Sequence, residues 1–139
     1  MGLDVSHDCW HGAYSAFSRW RDELARVAGY EFRQVEGEFK PFPDVDWTKY
    51  HADLVNGPLM GHWAETPEDP LLILIVHSDC DGMIYHPQLK PLADRLTELL
   101  PLLPKTDDWG HIGSWRVKTQ NFIDGLLEAH EAGEDVEFA

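Results

Sequence analysis

Apolar positions along this chain come in short groups, and their spacing changes from one group to the next. Residues 3–5 suggest the start of a short strand. Ala13, Phe17, Trp20, Leu24 and Val27 recur at helical spacing, and Gly29 stands where a left-handed cap closes a helix. Residues 31–35 and 38–39 flank Gly37 in a hairpin pattern. Residues 71–76 are apolar without a break and predict a fully buried central strand. Pro87 suits the first turn of a helix whose apolar face is Leu89, Leu92, Ala93, Leu96, Leu99 and Leu100, with Pro101 and Pro104 ending it. Ser114 caps a last helix that turns Trp115, Phe122, Ile123, Leu126 and Leu127 inward and stops at Gly133. Residues 136–138 add an edge strand. Between residues 41 and 70, five prolines (Pro41, Pro43, Pro58, Pro67 and Pro70) break any long element. The expectation there is a Pro-rich irregular insertion that packs against or covers something.

These elements predict one domain over residues 1–139, of α/β or α+β class, with a small central sheet and about three helices packed on it. A hydrophobic fraction of 43% in 139 residues is enough for a core. The net charge of −14, from 25 acidic and 11 basic side chains, weighs against general nucleic-acid binding and against anionic membranes. It fits simple solubility, and it also fits an acidic surface aimed at a basic partner. No apolar run is long enough to cross a bilayer, and no signal-peptide pattern opens the sequence, so the expected location is the cytoplasm. Two cysteines, Cys9 and Cys80, imply no disulfide framework.

Three polar segments carry candidate chemistry. The first is His77-Ser78-Asp79-Cys80-Asp81-Gly82, directly after the apolar run. Ligands of open α/β sheets bind beyond the carboxyl ends of strands. Two carboxylates and an imidazole suit a divalent cation or a proton-transfer pair, which makes His77, Asp79 and Asp81 the candidate catalytic residues. The bland alternative is an Asx-type turn. The second segment is Asp4-Val5-Ser6-His7-Asp8-Cys9-Trp10-His11-Gly12. If extended, it sets His7, Cys9 and His11 on one face, a plausible zinc set with Cys80 or His77 as a fourth ligand. The alternative is a buried free cysteine beside capping residues. The third runs from Asp107 to Arg116, where glycines and Ser114 open a helix. Backbone N–H groups there favour an anion, with Arg116 and Lys118 as counter-charges and Trp109 or Trp115 as a stacking surface; the alternative is routine helix capping with the tryptophans in the core. Candidate ligand-binding residues are therefore Asp4, Ser6, His7, Asp8, His11, Ser78, Gly82, His111, Ser114, Trp115 and Arg116, and the candidate metal set is His7, His77, Asp79 and Asp81.

His77, Asp79, Asp81 and Gly82 together resemble the His-x-Asp-x-Asp-Gly motif of the DHH phosphoesterases. That resemblance implies manganese-assisted phosphodiester cleavage; the later Asp-His-His signature of that family is absent. The stretch from Gly2 to Phe17, with His77 to Gly82, Gly110-His111-Ile112-Gly113 and Phe122 to Leu126, is similar to a group of small uncharacterised phage and prophage proteins. This similarity implies an accessory protein in the cytoplasm of an infected host.

The reading that follows is a protein binding a small phosphorylated or nucleotide ligand, such as a host immune signal, in a His/Asp/Ser-rich site. One alternative is a metal-dependent phosphoesterase using His77, Asp79 and Asp81 with Mn or Zn. Another is an acidic inhibitor that binds a host protein. A homo-oligomer is compatible with each.

Overall fold

A computed structural model of the chain describes residues 2–35, 38–41, 66–75, 77, 82–104 and 115–139. In chain order the elements are β1 (Gly2–Val5), β2 (Trp10–Ala13), α1 (Tyr14–Val27), β3 (Phe32–Val35), β4 (Glu38–Pro41), α2 (Leu72–Ile75), β5 (Gly82–Ile84), α3 (His86–Leu99), a 3-10 turn (Leu100–Leu102), α4 (Trp115–Ala132) and β6 (Val136–Phe138). The class is mixed α and β, as the periodicities predict. Strands β2, β1, β6 and β5 form a four-stranded sheet in that order, and every pairing in it is antiparallel. β3 and β4 form the expected hairpin apart from that sheet.

Three expectations about the sheet are corrected. Residues 71–75 do not supply the central strand: Leu72–Ile75 form a short helix, with Leu71 to Leu74 buried, and Val76 lies outside the described residues. An unbroken apolar run fits a buried helix as well as a buried strand, so local capping decides. Asp69 Oδ1 accepts the Leu71 N–H at 3.0 Å, and the Asp69 carbonyl accepts the Leu72 N–H at 3.1 Å. Pro70 then suits the first turn. Secondly, Gly82–Ile84 pair as β5, a strand the sequence pattern did not suggest, with Gly82 at φ 102°. Thirdly, residues 136–138 are interior rather than at an edge, with Phe138 opposite Val5 on one side and Gly82 on the other. In an antiparallel sheet there is no common carboxyl end, so the expected ligand crevice at a parallel strand end has no place here.

The helices follow the predicted faces. α1 buries Ala16, Phe17, Trp20, Leu24 and Ala25. It ends in a Schellman motif: Tyr30 N–H reaches the Ala25 carbonyl, Gly29 N–H reaches Arg26, and Gly29 takes φ 89°. α3 begins with Pro87 in its first turn and buries Leu89, Leu92, Ala93, Leu96 and Leu99. α4 buries Trp115, Thr119, Phe122, Ile123, Gly125, Leu126 and Ala129. Trp10, Phe17, Trp20, Phe122 and Phe138 form a contiguous aromatic cluster between the sheet and the helices. Trp20 Nε1 donates to Thr119 Oγ1 at 2.8 Å, which satisfies the one polar atom of that indole.

Candidate functional site

The β1–β2 hairpin turns through Ser6-His7-Asp8-Cys9. His7 and Asp8 have φ values of 59° and 56°, so both central residues are left-handed. This backbone is that of a type I′ turn, whose twist matches the flanking strands. Side chains other than glycine hold it at a cost of about 1 kcal/mol or more each. Three bonds fix the turn. Cys9 N–H donates to the Ser6 carbonyl at 3.3 Å, Ser6 N–H to the Glu137 carbonyl at 2.9 Å, and Glu137 N–H to Ser6 Oγ at 2.8 Å. α4 presses on the turn at Gly125, where a Cβ would stand 2.5 Å from Cys9 Sγ and 2.7 Å from the His7 carbonyl oxygen. Any side chain at 125 would hold the helix off.

Asp4 and His11 are cross-strand partners on the outer face of the sheet. His11 Nδ1 lies 2.8 Å from Asp4 Oδ1, and Nε2 lies 2.9 Å from Asp8 Oδ1. An ionised carboxylate only accepts, so both contacts are hydrogen bonds when both ring nitrogens donate, that is, in the charged imidazole. The bonds to Asp4 and then to Asp8 hold its pKa above the usual histidine value against opposing desolvation, with the charges of the same two carboxylates adding to the rise. His7 points the other way, toward α4 and the segment after it. Its Nδ1 lies 3.9 Å from Glu128 and its Nε2 3.6 Å from Glu134, with 17% of the side chain exposed.

Two hollows flank this ridge. One, of about 380 Å³, is lined by His7, Asp8 and His11 together with Asn121, Asp124, Gly125 and Glu128 of α4. The other, of about 440 Å³, lies across the outer sheet face and is lined by Asp4, Val5, Ser6, His7, Asp8, His11, Glu137 and Ala139. Asp4, Asp8, Asp124, Glu128 and Glu137 thus surround two histidines, and neither hollow has a lysine or arginine among its described lining residues.

Cys9 sits beneath the ridge, buried and unpaired by any disulfide. Burial, reinforced by Glu128 and Asp8, pushes its thiol up to about 12. It is a neutral packing group at ordinary pH, a poor thiolate ligand for zinc.

Of the residues singled out in the sequence, Asp4, Ser6, His7, Asp8 and His11 are brought together. His77 is placed elsewhere: it is buried, its ring stacks on Phe138 at 4.0 Å, and its Nε2 donates to the Met83 carbonyl at 2.9 Å. Gly82 opens β5 opposite Phe138. Neither lines the hollows. Trp115 lies in the core rather than presenting a stacking surface. Arg116 donates to the carbonyls of Leu103 and Pro101, both at 2.9 Å, closing the 3-10 turn after α3. Ser78, Asp79, Cys80, Asp81, His111 and Ser114 lie outside the described residues, as does most of the Pro-rich insertion. Among the described residues, no three His, Cys, Asp or Glu side chains converge closely enough to hold a metal ion.

The sequence reading missed Asn121, Asp124 and Glu128. Their spacing of three and four residues places them on one stripe of α4, and Gly125 lies beside them in the middle of the helix. A polar stripe next to a mid-helix glycine was the available signal. No protein-family model, curated protein or solved structure matches this chain.

Proposed function

We propose that this chain is a binding protein whose acidic ridge at His7, Asp8 and His11 receives lysine or arginine side chains of a protein partner. The observation that carries this reading is the lining of the two hollows, five carboxylates with no lysine or arginine among the described residues. The net charge of −14 extends the same sign over the molecule and would steer a basic partner toward it. A phosphorylated ligand would meet repulsion at this ridge. Of the side chains expected to receive it at the start of α4, Trp115 and Arg116 are used in the core and on backbone carbonyls, and Trp109, His111 and Ser114 lie outside the described residues.

Octa-arginine labelled with a fluorophore is a direct probe. Anisotropy should show saturable binding that weakens as salt is raised from 0.05 to 0.3 M, because exposed charges are screened. The double variant Asp8→Asn with Glu128→Gln should weaken binding about tenfold, equivalent to about 1.4 kcal/mol. Neutralising Asp94 and Glu98 on the exposed face of α3 should change it far less. Equal loss from both pairs would reduce the effect to bulk charge and sink the reading. So would saturable binding or turnover of a nucleotide, tested with and without Mn²⁺, that leaves the ridge unaffected by peptide.

A further inference from the structure

We propose that His11 is a proton-operated latch on the turn at residues 6–9: its imidazolium ties the turn to β1, and loss of the proton frees Asp8 and loosens the turn.

The geometry makes the two partners unequal. Asp4 is fixed in a ladder, its N–H donating to the Ala139 carbonyl at 3.0 Å and its own carbonyl accepting from Ala139 N–H at 2.8 Å. Asp8 belongs to the turn, and its side chain is 92% exposed. Neutral imidazole has one N–H, so it can donate to only one carboxylate. The other ring nitrogen then presents a lone pair to a carboxylate oxygen less than 3 Å away, which is repulsive. The ladder holds Asp4, so Asp8 is the partner that moves. The backbone adds to this, because His7 and Asp8 both occupy left-handed conformations that need outside support to persist.

The groups around His11 agree in sign. Asp4 faces it from β1, Asp8 from the turn, Glu137 from β6 across one hollow, and Asp124 and Glu128 from α4 across the other. His7 shares both hollows and is itself flanked by Glu128 and Glu134. Lys118 Nζ lies 4.8 Å from the ring centroid of Trp10, the buried neighbour of His11 on the opposite face of β2, and does not line either hollow. The carboxylates outnumber it and favour the charged imidazole. A folded pKa raised above the unfolded one means that the latch stabilises the fold fully below about pH 6.5. The contribution fades as pH rises through the folded value. Below that value the ridge carries a bridging positive charge; above it, Asp4 and Asp8 face solvent with one fewer cation between them.

The test is an NMR titration of the intact protein that follows the His11 ring and the order of the Asp8 and Cys9 amides. The His11 midpoint should lie above about 6.5. Asp8→Asn and Asp4→Asn should each lower it. Through the wild-type midpoint the Asp8 and Cys9 order parameters should fall from about 0.85 toward 0.6. In His11→Asn the turn should be loose at every pH and show no transition, whereas His7→Asn should keep the transition. A midpoint at or below about 6.5, a midpoint indifferent to Asp8→Asn, or order parameters constant through the midpoint would each overturn the latch. None of these measurements needs a partner, so the outcome is independent of the octa-arginine experiment.

Discussion

Asp69 shows how one side chain can be tied to three separate elements. Its carboxylate accepts from Tyr30 after α1, from the Leu71 N–H at the start of α2, and from Arg95 Nε of α3 at 3.1 Å. Burial alone would raise its pKa, but these donors hold it below the usual carboxylate value. Burial, and then the same bond to Asp69, pushes the Tyr30 hydroxyl up. Charge-assisted bonds of this kind contribute about 1.5–3 kcal/mol each in favourable cases. Asp69→Ala should therefore lower stability at pH 7 by roughly 2–3 kcal/mol in urea denaturation. The folded pKa is depressed, so this contribution is present above the unfolded value of about 3.9 and is lost as pH falls through the folded one. The gap between parent and variant should close in acid. A gap that stays constant from pH 7 to pH 3 would place the effect in packing instead.

At the scale of elements, α4 is the one that builds the site. It supplies Asn121, Asp124 and Glu128 to one hollow, and Gly125 lets it lie against the turn. Alanine is the better helix former by about 1 kcal/mol, so an exposed glycine at 125 would be improved by the change. Here the new Cβ meets backbone at His7 and sulfur at Cys9, both under 3 Å. Gly125→Ala should instead cost about 1–3 kcal/mol, read from the denaturant midpoint, and should shift the His7 and Asp8 amide resonances. A stabilised variant with unmoved resonances would refute the close contact. The helices α1, α3 and α4 were legible because each has an apolar stripe and a glycine or proline at its boundary. Residues 71–76 were not, because an all-apolar run has no period, and the choice was made by Asp69 and Pro70 just before it. The grouping of Asp4, His7, Asp8 and His11 was visible as one segment. Its α4 wall was not, since Asn121 to Glu128 lie more than a hundred residues away and join it only through packing.

The whole molecule carries a strong excess of negative charge, with 25 acidic against 11 basic side chains. Some of it is locally paired, as in Arg26 with Glu23, Lys90 with Asp94 and Arg95 with Glu98. Asp4, Asp8, Asp124, Glu128 and Glu137 gather on the ridge and along the outer sheet face. Self-repulsion of this size opposes the compact state and is screened by salt. The thermal midpoint should rise by a few degrees between 0.02 and 0.3 M NaCl, the equivalent of about 1 kcal/mol. Octa-arginine should produce the same rise at low salt if it neutralises the ridge. A midpoint that falls with salt would show that the paired contacts outweigh the repulsion. No described helix is long and apolar enough to cross a membrane, consistent with this charge pattern.

The order of the sheet also bears on how the protein is made. β6 lies between β1 and β5, so residues 136–138 are the bridge on which both neighbours depend. β1 ends at Val5 and β6 begins only at Val136, so one side of β1 stays open until residues 136–138 have been made. An unpaired strand edge of that kind invites pairing with another chain. The acidic side chains beside it, Asp4 and Asp8, then act before there is any finished surface to use them. Like charges there disfavour pairing of the hairpin with a second copy of itself while β6 is still missing.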